Sequence, residues 1–211
     1  MLAITNIIRI AAASPRRKAL QAANLIWRVM GTRERLLENG AALFAAKGFH
    51  GVGVEELGAS VGLTGPSIYR HFRTKNALLA EMLITVSESL LAGAVEVLGE
   101  GLNSKQTLSA LIDRHVEFAV SHPDLIRVQE RDFNNLNEDD ARQVRRLQRR
   151  YVELWVDQIR LVRPGESPES ARTIAHAVFG MLNSTPRLRS EQQREEISLL
   201  MNALTRRALL G

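Results

Sequence analysis

Apolar residues recur every three to four positions along most of this chain, the period of amphipathic helices rather than of strands. Leu36, Leu37, Ala41 and Phe44 form the first such stripe, between about Arg33 and Lys47, and Gly48 stops it. Leu57 and Val61 stand at i, i+4 and share one face of a short helix. Gly62 follows, where a chain leaving a helix often needs the positive φ that glycine adopts at little cost. Leu63 is placed to plug the space between helices. Ile68 and Phe72, again i, i+4, give the next short helix its inward face. Thr64 is a suitable N-cap for it, and Pro66 falls in its first turn, where a missing N–H costs nothing. Thr74 then caps a long helix with the stripe Leu79, Met82, Leu83, Val86, Leu90, Ala94 and Leu98, which ends at Gly99–Gly101.

Helical punctuation continues to the end of the chain. Leu108, Leu111, Ile112, His115 and Phe118 mark a helix that stops before His122-Pro123. A short helix carries Leu125, Ile126 and Val128, and a polar loop, Asn134 to Asn137, leads to a long one with Val144, Leu147, Tyr151, Leu154, Trp155 and Ile159. Ser167-Pro168 is an N-cap followed by proline at the first helical position. Ala171, Ile174, Ala175, Val178, Met181 and Leu182 form the next face. Ser190-Glu191-Gln192-Gln193 resembles a capping box before the final stripe of Ile197, Leu200, Met201 and Leu204. The expectation is an all-α chain: an N-terminal three-helix helix-turn-helix domain (residues 31–80) and a C-terminal helical domain (residues 81–211), after a basic N-terminal extension (residues 1–30).

Composition narrows the chemistry. With 211 residues, one small and one larger helical domain fit. No Cys is present, which excludes disulfide scaffolds, thiolate zinc sites and cysteine nucleophiles. Strand-like alternation is scarce and no apolar run is expected to reach membrane-spanning length. The five His show no close pair at metal-ligand spacing, and no nucleophile elbow or Gly-rich phosphate loop after a strand is found. Neither a metal, a cofactor nor catalysis is expected.

The net charge of +5 changes the picture less than its size suggests. Arg9, Arg16, Arg17, Lys18 and Arg28 lie in the first thirty residues, where there is no acid, so the remainder is balanced. That extension reads as a disordered arm along DNA, as a transit-like segment, or as the result of a start placed ahead of Met30. Within 31–80, Arg33, Arg35, Lys47, Arg70, Arg73 and Lys75 face Glu34, Glu38, Glu55 and Glu56. Any DNA binding must depend on where these charges sit rather than on a large field.

The run Tyr69-Arg70-His71-Phe72-Arg73-Thr74-Lys75, with Leu43-Phe44-Ala45-Ala46-Lys47-Gly48-Phe49 upstream, resembles the DNA-binding domain of the TetR family of bacterial transcriptional regulators. The family carries a helix-turn-helix ending in Tyr-x-His-Phe-x-Ser/Thr-Lys. Two positions depart from its usual pattern: Gly53 where a hydroxyl residue commonly caps the second helix, and Pro66 where glycine is common. The resemblance implies a recognition surface of Thr64, Gly65, Pro66, Ser67, Tyr69, Arg70, His71 and Lys75, with Lys75 at a helix N-terminus that favours phosphate.

By the same resemblance, the protein is a cytoplasmic homodimer on a palindromic double-stranded DNA operator, acting as a repressor and released by a small hydrophobic effector, for which acyl-CoA or a lipid-like molecule is the weakly favoured class. No membrane partner is implied. The terminal helix pair would form the dimer interface through Ala171, Ile174, Ala175, Val178, Ile197, Leu200, Met201 and Leu204; ordinary packing within one subunit is the other reading of that pattern. Candidates for the effector pocket are His115, Phe118, Phe133, Tyr151, Trp155 and Phe179, each of which core packing would equally explain. His176 reads as a satisfied or exposed histidine, and the run Arg145 to Arg150 as a solvated helix face. An alternative function is a lipid-binding protein of the same fold that no longer binds DNA, supported by the transit-like extension and opposed by the intact Tyr69–Lys75 segment.

Overall fold

A computed structural model describes residues 31–188 and 194–211. The basic extension of residues 1–30 and the capping-box residues 190–193 lie outside them. Among the described residues there are eight α-helices and no strand: α1 (Thr32–Lys47), α2 (Val54–Ser60), α3 (Lys75–Leu98), α4 (Ser104–Ser121), α5 (Pro123–Asp132), α6 (Glu138–Val162), α7 (Pro168–Leu182) and α8 (Arg194–Leu210). Short 3₁₀ turns cover Gly65–Arg70, Phe133–Asn135 and Thr185–Arg187.

Local chemistry sets the helix starts. Thr74 Oγ1 accepts from Ala77 N at 3.0 Å, as its place before α3 predicts. Asn103 and Gln106 close a reciprocal capping box at α4. Asn137 and Ser167 cap α6 and α7 with their side chains. Gly62 (φ 75°) takes the positive φ expected of it, and Gly48, which ends α1, also has a positive φ of 81°.

Two apolar cores divide the chain. Leu36, Phe44, Leu57, Ile68, Phe72 and Leu79 centre the first. Leu108, Leu111, Ile112, Trp155, Ile159 and Leu182 centre the second. Helix α3, about 36 Å long at 1.5 Å per residue, runs through both: Leu78, Leu79, Met82 and Leu83 enter the first, and Leu91, Ala94 and Val97 the second. Its length and mean hydropathy of 1.6 would suffice to cross a membrane, contrary to the sequence expectation, and half of that apolar window is buried in these cores. The division between domains is also less clean than a boundary near residue 80 implies, because Val128 of α5 and Val144 of α6 lie in the first core.

The terminal helices correct the interface assignment. Ala171, Ala175 and Val178 are buried in the chain's own second core, as is Met201, and Ile174 and Ile197 pack half-buried against it. Helical periodicity identified an apolar face of α7, and that face points inward. The outward face carries Thr173, Ala177 and Gly180. On α8, Leu199, Leu200 (57% exposed) and Leu204 (39% exposed) remain at the surface.

Candidate functional site

Helix α2, the turn 61–64 and the segment 65–70 form a tight helix-turn-helix. Leu63 N donates to Gly58 O at 2.8 Å, and Gly62 N to Ala59 O at 3.2 Å. A Cβ on Gly58 would come within 2.8 Å of Leu63 O, so the turn requires glycine there. The reading segment is a six-residue 3₁₀ turn, Gly65–Arg70, rather than an α-helix. Ser67 N bonds to Thr64 O at 3.0 Å, and His71 N to Ile68 O at 2.8 Å. The Thr64 hydroxyl bonds the Ser67 hydroxyl at 2.7 Å instead of capping the backbone, and Pro66 has no N–H to contribute.

The expected DNA-facing residues separate into two groups. Thr64, Pro66, Tyr69 (54% exposed) and Arg70 are exposed, and Ser67 and His71 are half-buried beside them. Gly65 is buried instead of facing outward. A Cβ there would stand 3.2 Å from Glu55 Cα, so this glycine allows the reading segment to lie close on α2. Lys75 is likewise turned away from the surface it was expected to serve. Its Nζ donates to Phe49 O at 2.7 Å and Val52 O at 2.8 Å, and lies 4.4 Å from the Phe49 ring centroid. It organises the loop after α1. Arg33 is also engaged: it pairs with Glu81, donates to His71 O and stacks 4.3 Å over Phe72. Lys47 pairs with Glu56. Arg70 and Arg73 remain as exposed cations at the reading surface with no ion-pair partner among the described residues. Arg73 was missing from the sequence-based set; its position between Phe72 and the Thr74 cap is the signal that could have included it.

Behind this domain lies a cavity of about 650 Å³ enclosed by α3, α4, α5, α6 and α7. Val86, Leu90, Leu125, Ile126 and Val152 give it an apolar body. His115, Phe118, Tyr151 and Phe179 line it, so four of the six expected pocket residues meet there. The other two do not. Phe133 packs against the first core beneath Arg145, whose guanidinium lies 5.0 Å from the ring centroid. Trp155 is fully buried behind the wall, its ring edge-on to Phe179 at 5.0 Å. Phe133 stood on no periodic stripe, and periodicity placed Trp155 inward but could not tell which layer it enters. It also missed the polar lining: Gln129, Gln148, Arg149, Glu153, Arg172 and Asn183. Arg149 is exposed at the rim, and His176, also exposed, lines the same opening. Arg172 is tied to Glu153 at 2.7 Å.

His115 is the central buried polar group. Its Nδ1 lies 3.0 Å from the Tyr151 hydroxyl. Burial pulls its pKa down to about 4, and the neighbouring Asn183 side chain offsets part of that shift. Burial also pushes the Tyr151 hydroxyl upward, with Trp155 opposing. Both groups are therefore uncharged at neutral pH.

Helix α5 joins cavity and helix-turn-helix. Ile126 and Gln129 face the cavity. One turn on, buried Asp132 accepts from Phe49 N at 3.2 Å, while Arg131 donates to Ala45 O at 3.3 Å and to Phe44 O. Arg131 and Asp132 are themselves paired at 3.1 Å. The end of α1 and the loop after it are thus held from one side by Lys75 and from the other by α5.

Comparison with known proteins agrees with this layout. Residues 36–82 match the family described as bacterial regulatory proteins, tetR family, and residues 101–187 match the tetracyclin repressor-like C-terminal domain. The chain is similar to the HTH-type transcriptional repressor KstR2 of Rhodococcus jostii, with 32% identity over 87 residues, 41% of this chain and 43% of that protein. It thus spans less than half the length of that curated relative. Among solved structures it is similar to a TetR-family transcriptional regulator from Bordetella parapertussis (TM-score 0.77, 23% identity, 85% of this chain and 94% of the other). It is also similar to AibR in complex with isovaleryl coenzyme A and operator DNA (TM-score 0.70, 15% identity, 82% and 97%).

Proposed function

The chain belongs to the TetR family of bacterial regulatory proteins, and on that basis we propose that it is a ligand-responsive, homodimeric transcriptional repressor that binds a palindromic operator and leaves it when a small hydrophobic effector fills the cavity behind α3. The reading segment Thr64–Arg70 enters the major groove, with Tyr69 and Arg70 contacting DNA and Arg73 at a phosphate. The outward faces of α7 and α8, with Thr173, Ala177, Gly180, Leu200 and Leu204, meet their twins in the dimer. Three exposed leucines on one helix are the kind of apolar patch that such an interface buries.

The observation that carries this reading is the double engagement of α5, which walls the cavity with Ile126 and Gln129 and grips α1 with Arg131 and Asp132. A ligand that displaces α5 therefore acts directly on the orientation of the reading segment, alongside any movement of α3. Ligand and operator are coupled through one two-state element, so each weakens the other's binding. Acyl-CoA is the favoured effector class: the relative AibR is described with isovaleryl coenzyme A and operator DNA, and an acyl chain suits the apolar body of the cavity while unpaired Arg149 at its rim suits an anionic headgroup. Fluorescence anisotropy with duplexes tiled across the DNA upstream of the chain's own gene tests this. One duplex should bind in preference to the others and be released by decanoyl-CoA. Equal binding to all duplexes, or no release by any acyl-CoA, contradicts it.

A further inference from the structure

Among the described residues, six buried side-chain polar atoms have no hydrogen-bond partner. Three of them, His115 Nε2, Asn183 Oδ1 and Gln129 Oε1, belong to residues lining the cavity of about 650 Å³; the Asn183 side chain neighbours His115 without meeting hydrogen-bond geometry. A fourth, Trp155 Nε1, lies in the ring behind His115. Leaving such atoms unmet is costly, and their gathering around one apolar space indicates a missing polar partner. The direction of His115 follows from its neighbour. Tyr151 keeps its proton; its hydroxyl lies 3.0 Å from Nδ1, and Trp155 is its other polar neighbour. If the hydroxyl donates there, Nδ1 accepts and the ring proton sits on Nε2, the unpaired atom.

We propose that the buried end of this cavity binds an uncharged oxygen function, a ketone carbonyl or a hydroxyl carried on an apolar body, through donation from His115 Nε2. This rests on the cavity being the effector site. The charges around the cavity explain why the oxygen is neutral. The guanidinium of Arg172 is matched by Glu153, Glu130 is matched by Arg187, and Arg149, with no ion-pair partner among the described residues, is exposed at the rim. Arg114, which acts on Tyr151, is paired with Glu96 and does not line the cavity, so a carboxylate buried against His115 would lack a free counter-charge, whereas a carbonyl or hydroxyl oxygen needs only the donor. A hydroxyl would in addition donate to Asn183 Oδ1 or Gln129 Oε1. An anionic group on the same ligand belongs at the rim, next to Arg149.

Titration calorimetry of the full chain with decan-2-one, decan-2-ol and decanoate tests the assignment. Decan-2-one or decan-2-ol should bind saturably, and His115→Leu should weaken that binding about fivefold, the effect of one hydrogen bond. Decanoate, with its head at the rim, should change less than twofold. His115→Gln, which retains a donor, should restore part of the ketone or alcohol binding. Asn183→Leu serves as the second variant if His115→Leu loses its helical circular dichroism, and should weaken decan-2-ol more than decan-2-one. Equal loss for all three ligands, no loss for any, or no saturable ketone or alcohol binding at all would overturn the proposal. The effector reading is scored separately on the same samples by operator anisotropy. Ketone binding without operator release counts against the effector role and leaves the ligand class standing. Release by decanoate alone does the reverse.

Discussion

Lys75 shows how a residue in a recognised motif can serve another purpose than its position suggests. Its ammonium bonds two loop carbonyls and covers the Phe49 ring, so it acts on the shape of the reading domain rather than on phosphate. Arg73 is exposed, with no ion-pair partner among the described residues. The two positions should therefore respond differently to mutation. Arg73→Ala should reduce the slope of log affinity against log salt by about one per protomer, about two per dimer. Lys75→Met should lower the thermal midpoint of the protein and weaken operator binding while leaving that slope unchanged. Salt titrations of operator binding for both variants provide the check; equal slope changes would contradict the assignment.

His115 carries a second prediction, on pH. Its folded pKa, about 4, lies below the ordinary value of 6.5. Between these values the unfolded chain binds a proton that the folded chain does not. Stability from this group is thus complete above pH 6.5 and is lost as the pH falls toward 4. The full effect is on the order of 3 kcal/mol. Urea unfolding at pH 7.5 and pH 5 should show a loss in the wild type that is smaller in His115→Leu. An identical loss in both would place the acid sensitivity elsewhere.

Among the helices, α5 is the one whose role the sequence concealed. Its apolar residues Ile126 and Val128 were legible, but the pattern could not reveal that they enter different places, the cavity wall and the first core. Arg131 and Asp132 carry no local signal of their role, because their partners, Phe44, Ala45 and Phe49, lie more than eighty residues earlier. The same limit applies to α7, where an apolar stripe is equally consistent with a core and an interface. What local chemistry controls was readable: the Thr74 and Ser167 caps, the positive φ of Gly62 and the break before Pro123. Asp132→Ala should leave effector affinity within about twofold while reducing the operator release that the effector causes by several-fold, a coupling change of about 0.5–2 kcal/mol. Calorimetry for the effector and anisotropy for the operator, on the same variant, separate these quantities. Unaltered release would remove α5 from the coupling route.

On the proposed dimeric reading, two reading segments are held at a fixed separation, and dimerisation becomes a condition of specific binding. Leu200→Glu combined with Leu204→Glu places charges on the exposed face of α8 without touching the buried residues Met201 and Thr205. Sedimentation should show this variant as a monomer that retains its helix content and loses preferential operator binding. A dimer of unchanged affinity would move the interface to another surface.

Footprinting of the DNA upstream of the chain's own gene, at about 0.15 M salt, addresses the whole arrangement at once. Two protected half-sites, related by inverted repeat and centred one or a small whole number of helical turns apart at about 34–36 Å per turn, are the expected result. Protection should disappear in Tyr69→Ala. A single protected half-site, protection without two-fold symmetry, or no protection above that of unrelated DNA would contradict a dimeric operator-reading repressor.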